Sequence, residues 1–294
     1  MNIPYRFSQH SLLATLQVSI IIALLSVCYT SYAKNIEPKT KSPMVNVERD
    51  KNKQATFSLP KPMFDRLMNN MVLVEAGTFT MGSDSPLARN REKPVRHISL
   101  DDFYISRYEL TQDLFEQIMG WNNSFFACNE CPVNNVSWFN MLVFIERLNS
   151  ATGKKFSLPT EAQWAYAAKG GNKSNNFQYS GSNNINDVAW FADNAKNKSH
   201  PVGLKMPNEL GLYDMSGNLW EFCLDDMSRQ AYSFTESHNP FMGDKENLKR
   251  KAMKVIRGGG YEFSATENLI FMRDGATNNV RMADIGFRLA LDKK

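Results

Sequence analysis

The chain is 294 residues long with a hydrophobic fraction of 43%, including 19 Phe, 10 Tyr and 5 Trp, which is ample material for a sizeable core. Its 16 Gly and 12 Pro exclude a collagen-like or wholly disordered chain, and four Cys are too few for a disulfide scaffold. Lys and Arg number 34 against 30 Asp and Glu, and no basic run concentrates the formal charge of +4, so nucleic acid is not an expected partner.

Residues 12–27 are almost uniformly apolar, and Arg6 is the sole Lys, Arg, Asp or Glu before Lys34. Ser31-Tyr32-Ala33 then sets small residues at the −3 and −1 positions of a cleavage site. Residues 1–33 therefore read as a secretory signal peptide. The length of the apolar stretch and the weakly basic start leave an uncleaved membrane anchor as the alternative. Cys28 follows Val27, where lipid attachment needs a small residue, and is read as discarded with the leader. Residues 34–55 carry nine charged side chains among 22 and no aromatic, which predicts a solvated tether. One domain follows over 56–294, periplasmic or secreted, in an oxidising compartment.

Within that domain the pattern predicts strands at 72–75, 79–81, 97–100 and 103–106. Thr111 is placed to cap a helix with Leu114, Phe115, Ile118 and Met119 on one face and Gly120 as its stop. Cys128 and Cys131 form a C-x-x-C pair in a loop, without the second pair a zinc site needs or the strand–motif–helix setting of a redox motif. After export they read as a local disulfide. Ser137 predicts a second cap, with Trp138, Met141, Leu142, Ile145 and Leu148 inward and an end before Gly153. Thr160 and Gln163 have capping-box spacing at the head of an Ala-rich helix that ends at Gly170-Gly171. Residues 171–252 carry turn residues every few positions and predict loops, followed by strands at 255–257 and 287–291. The result is a loop-rich α+β domain whose function sits on loops over a scaffold. Cys223 reads as a buried free thiol.

Seven stretches resemble the formylglycine-generating enzyme (sulfatase-modifying factor) family. They are 71–83 (MVLVEAGTFTMGS), 103–111 (FYISRYELT), 132–138 (PVNNVSW), 158–168 (LPTEAQWAYAA), 211–222 (GLYDMSGNLWEF), 255–261 (VIRGGGY) and 286–289 (GFRL), in the family's order. The resemblance implies a C-type-lectin-like fold with short twisted sheets, two packed helices and long loops. It leaves activity open, because the family holds copper oxidases that make formylglycine, iron-dependent sulfoxide synthases, periplasmic siderophore-maturation proteins and non-catalytic binders.

In the formylglycine-generating enzymes two cysteines after the Arg-Gly-Gly turn bind Cu(I), a soft ion that prefers thiolates. Counted from Arg257-Gly258-Gly259, the family's serine position is Gly260 and its two cysteine positions are Phe263 and Asn268, with no Cys after Cys223. No copper is therefore expected. His10, His97, His200 and His238 are dispersed without metal-ligand spacing, so iron is not expected either. The Gly258–Gly260 run is read as serving backbone geometry. Glu262, Glu267, Arg273 and Asp274 charge the segment of the family's groove, and Glu262 and Arg273 are read as loop residues and weak catalytic or binding candidates. Trp220, Gly260, Phe263 and Asn268 are expected to form the groove. By the resemblance, Asp214 and Glu221 supply carboxylates and Gly217 and Leu219 main-chain carbonyls to a structural calcium site; read from the residues alone, the stretch is a plain turn.

Two functions follow as expectations. One is an exported binding or accessory protein whose partner is a peptide, protein or small polar ligand, with the membrane a partner only if the leader is uncleaved. The alternative is a divergent oxidation or modification enzyme acting on a peptide or siderophore-like substrate.

Overall fold

The chain divides into two units, Met1–Ala55 and Thr56–Lys294. A computed structural model describes residues 59–234 and 236–293, all within the second unit. The expected leader, the tether and His10 lie outside the described residues.

Local chemistry sets the helices. Helix α1 (Lys61–Asn69) opens on Pro60 and lies in chain order before strand β1 (Met71–Val74). Helix α2 (Gln112–Met119) ends at Gly120, whose φ of 78° is the left-handed stop that the sequence predicted. Thr111 flanks it without capping it, because its hydroxyl donates to Asp113 instead. Helix α3 (Trp138–Thr152) has a reciprocal box: Ser137 Oγ accepts from Asn140 N–H at 3.2 Å, and Asn140 Oδ1 accepts from Ser137 N–H at 3.1 Å. Its inward face differs from expectation by one residue, with Phe144 fully buried and Leu142 only half-buried. Helix α4 (Glu161–Ala168) has the predicted Thr160–Gln163 box.

The strands form three sheets. Strand β1, β4 (Phe103–Ser106), β10 (Ala290–Asp292) and β5 (Phe156–Ser157) lie side by side in that order, all antiparallel. Strands β2 (Gly77–Met81) and β3 (Arg96–Leu100) form a two-stranded ribbon. The third sheet runs β8 (Arg273–Thr277), β7 (Met253–Arg257), β6 (Trp220–Asp226), β9 (Ile285–Gly286), with β6 and β9 parallel. Helices α2 and α3 pack through stacked Phe115 and Phe144 rings 5.5 Å apart, and Phe144 meets Phe287 edge-on at 5.7 Å. Each such ring contributes about 1.5–3 kcal/mol by leaving water.

Three predicted features need correction. Residues 287–289 lie outside the strand, although Phe287 O and Leu289 O accept from Leu110 N–H and Ser106 N–H at 2.8 Å, and the strand falls at Ala290–Asp292. Residues 171–252 contain β6, an inner strand of the third sheet, together with short helices at Ile185–Val188 and Ala231–Phe234. Strand β8 replaces a predicted loop. Both strands were hidden by charge: β6 carries Glu221, Asp225 and Asp226, and β8 opens on Arg-Asp, yet Glu221, Asp225, Asp226 and Arg273 are buried against partners distant in sequence.

Candidate functional site

The Arg-Gly-Gly turn positions the candidate cleft. Arg257 leaves β7 fully buried and donates to the carbonyls of Phe271, Met272 and Ile270, which fixes the returning chain. Gly259 has φ of 78°, and a Cβ there would lie 2.3 Å from Asn268 Oδ1, so no side chain fits. The loop between is held by Tyr261 N–H to Asn218 O at 2.9 Å and Ala192 N–H to Phe263 O at 3.0 Å. It lays Phe263 edge-to-face on Trp220, with centroids 5.5 Å apart at 87°. A cavity of about 190 Å³ opens beside the pair, lined also by Val280, Met282, Asp284 and Ile285.

The four expected groove residues divide. Phe263 is half-buried and forms the accessible aromatic wall, while Trp220 is only 5% exposed and forms its base. Gly260 packs beneath both rings, since an added Cβ would sit 3.3 Å from each. Asn268 does not line the cavity. It is buried, and its amide donates to Ser264 O at 2.8 Å and Phe263 O at 3.2 Å, so it serves as a strut inside the loop.

The charged candidates divide as sharply. Glu262 is exposed and hydrogen-bonds with Tyr261, whose phenol is pushed up by burial and by that carboxylate. Asp284, missed in the sequence, lines the cavity, and burial followed by the nearby Glu262 pushes its carboxyl up. Glu267 closes a box on Ser264, and Asp274 pairs with Arg91. Arg273 is not a loop residue. It is fully buried at the start of β8, with Nε and Nη2 each 2.6 Å from Glu161 and Nη1 donating to Ser228 O at 2.9 Å. A guanidinium so buried and engaged does not reach a ligand in the cleft.

Behind the cleft lies a buried acid cluster formed from the residues of the expected calcium site. Asp214 has φ of 57°; its Oδ2 accepts from Gly203 N–H at 2.8 Å, and its Oδ1 is buried without a partner. Burial pushes this carboxyl up to about 6. Glu221 is fully engaged: Arg288 donates to both oxygens at 2.6 and 2.7 Å, and Trp164 Nε1 donates at 2.9 Å. Gly217 has φ of 81°, and a Cβ there would lie 2.3 Å from Trp190 O, so no side chain fits. Glu109, which the sequence reading did not single out, accepts from Leu219 N–H at 3.0 Å and Asn218 Nδ2 at 2.6 Å. Burial first, then Asp214 and Glu221, raises it well above the usual range. Among the described residues, no three His, Cys, Asp or Glu side chains are grouped to hold a metal ion.

The remaining candidates serve the scaffold. Cys128 and Cys131 are joined by a disulfide, and Cys223 is a buried free thiol pushed well up by burial. His200 stacks on Trp190 at 3.8 Å, His97 lies near Thr80, and His238 lies 3.7 Å from Asp101.

Fold and motifs together define a sulfatase-modifying-factor domain of C-type-lectin-like architecture. Residues 56–293 match the sulfatase-modifying factor enzyme 1-like domain, and the chain belongs to that family. It is 34% identical over 205 residues to the chaperone protein LppX of Paenibacillus barcinonensis, covering 53% of this chain and 71% of that protein. It is 25% identical over 312 residues to the mouse formylglycine-generating enzyme, covering 83% and 80% respectively. Among solved structures, Treponema denticola variable protein 1 superposes with a TM-score of 0.64 at 26% identity, over 76% of this chain and 94% of that one.

Proposed function

We propose that this chain is an exported binding or accessory member of the family that holds a peptide or small polar ligand in the Trp220–Phe263 cleft and carries no Cu(I) centre. The observation that carries this reading is the fate of the two cysteine positions. Phe263 supplies a hydrophobic wall, and Asn268 is consumed as a loop strut. Neither side chain offers the thiolate that Cu(I) prefers. The relative from Paenibacillus, named a chaperone protein, supports an accessory role. The test is metal analysis and oxygen uptake on purified protein with a cysteine peptide. Retention of less than stoichiometric copper and no copper-dependent uptake are expected, whereas stoichiometric copper with uptake would overturn the reading.

A second reading, a modification enzyme acting on a peptide or siderophore-like substrate, draws on Asp284. A carboxyl pushed up by burial and by the nearby Glu262, in a cleft, is suited to general acid–base work. Stoichiometric iron, or turnover lost in Asp284→Asn, would favour it.

Calcium belongs to the same proposal. The unpartnered Asp214 Oδ1 is an oxygen that a hard cation could take, and three acids facing one arginine leave a buried cluster short of positive charge. Arg288 already occupies Glu221, so Asp214 is the carboxylate that would hold the ion, with main-chain carbonyls of Gly217 and Leu219. Chelation is then expected to lower the melting temperature, and Asp214→Ala to remove that response. An unchanged melting temperature on chelation would reduce the stretch to a turn.

A further inference from the structure

We propose that a second pocket, which shares no lining residue with the Trp220–Phe263 cleft, binds a small hydrophobic carboxylate through the Lys169 ammonium. The pocket is about 450 Å³, within the usual range for small-molecule sites. Its apolar walls come from Leu87, Phe177, Leu269, Ile270 and Phe271, and among the described residues Lys169 is the one ionisable side chain that lines it. Lys169 is the C-cap residue of α4, and its backbone N–H donates to Ala165 O.

The ammonium is under-partnered. It donates to Thr80 O at 2.8 Å, which uses one of its three donors. Among the described residues no Asp or Glu lies within ion-pair distance of it. Glu209, which lies beside Gly170, is committed elsewhere and accepts from Asn175 N–H at 2.8 Å. Burial and then the neighbouring Arg257 push the Lys169 ammonium down, the signature of a cation that lacks its counter-charge.

The rim is built in advance of any ligand. Ser85 N–H donates to Ser83 Oγ at 3.1 Å and Leu87 N–H to Ser85 Oγ at 3.2 Å, so the loop holds Leu87 in place although the residue is 53% exposed. On the opposite side Ile270 N–H donates to Gln178 O at 2.9 Å and ties two walls together. One cation among apolar walls suits a monoanion with an apolar substituent. A phosphate dianion would need several donors and is better met by arginine forks. The matching chemistry is a leucine-like residue with a free carboxylate, either as the C-terminus of a peptide or as a free N-acyl amino acid.

Calorimetry on the purified protein tests this with N-acetyl-L-leucine, the tripeptide Gly-Gly-Leu, and the amide of each. The acids are expected to bind and the amides to bind at least about tenfold more weakly, because the charge-assisted hydrogen bond is lost. Preference for the tripeptide assigns the site to peptide termini, and preference for the acyl amino acid to free metabolites. Lys169→Met is expected to lower affinity for the acids by at least about tenfold, with Lys169→Arg retaining most of it. Should Lys169→Met fail to fold, Leu87→Glu decides, since it sets a like charge at an exposed rim position and should repel the acids. Equal binding of acid and amide, no binding of any probe at millimolar concentration, or acid binding lost in Phe263→Ala but kept in Leu87→Glu would overturn the proposal.

Discussion

Glu221→Ala is expected to destabilise the domain by about 3–5 kcal/mol, because it strands a fully buried guanidinium. Arg288 lies at 0% exposure and makes both of its carboxylate bonds to Glu221; its other donors go to the carbonyls of Ser106, Arg107 and Tyr213. Trp164 Nε1 would lose its acceptor as well. Since a whole domain has only about 5–15 kcal/mol to lose, the variant should stand near unfolding at room temperature. Urea denaturation of the single variants and of Glu221→Ala with Arg288→Met measures this, and the double variant should recover part of the loss because no charge is left stranded. A loss below about 1 kcal/mol for Glu221→Ala would mean that water or an ion reaches the pair. The same argument makes Asp214, and not Glu221, the position at which a calcium response can be tested without collapse of the fold.

Glu161→Ala is expected to cost a similar amount, about 3–5 kcal/mol, through the second buried network. Glu161 receives two bonds from Arg273, one from Tyr232 Oη at 2.9 Å, and the field of Arg257 with Nε at 3.7 Å. Arg273→Met should likewise unfold the domain more than it alters any ligand affinity. The pair also has a pH signature. Burial alone would raise the Glu161 carboxyl, but Arg273 and Arg257 outweigh it and hold it below its ordinary 4.5. A depressed carboxylate contributes stability that is present above the unfolded value and lost as pH falls through the folded one, so this contribution disappears below about 4.5. Asp225 acts in the opposite direction: burial raises it to about 7, so its protonated form favours folding at low pH and that advantage fades between 3.8 and about 7. Melting temperatures of the native chain and Asp225→Asn across this range should separate the two, with the slope above pH 4 flatter in the variant.

Helix boundaries were legible because their causes are local. A hydroxyl or amide at one position and an N–H three residues on decide the caps at Ser137 and Thr160, and glycines with left-handed φ stop the helices at Gly120 and Gly153. Thr111 shows the limit of that logic, for its hydroxyl found Asp113 two residues away before it could serve the helix. Strands β6 and β8 were not legible, since buried charge in a strand has the composition of a loop until its partner is known. Their partners, Glu221 with Arg288 and Arg273 with Glu161, are 67 and 112 residues apart.

The candidate site divides along the same line. Motif order carried the family, and composition with spacing carried the α+β class and the Cys128–Cys131 link. Trp220 and Phe263 were named from the sequence and meet at the cleft; Asp284 and Glu109 were not, because neither sits in a pattern that marks it as buried. The four charges of residues 262–274 look alike in the sequence. Only the tertiary structure decided that Glu262 faces water, that Glu267 pairs with Arg89, that Asp274 holds Arg91 from strand β8, and that Arg273 is sealed inside. The physical reason is that the cost of a buried charge is set by the groups folded against it, and those groups are supplied by chain segments far away in the sequence.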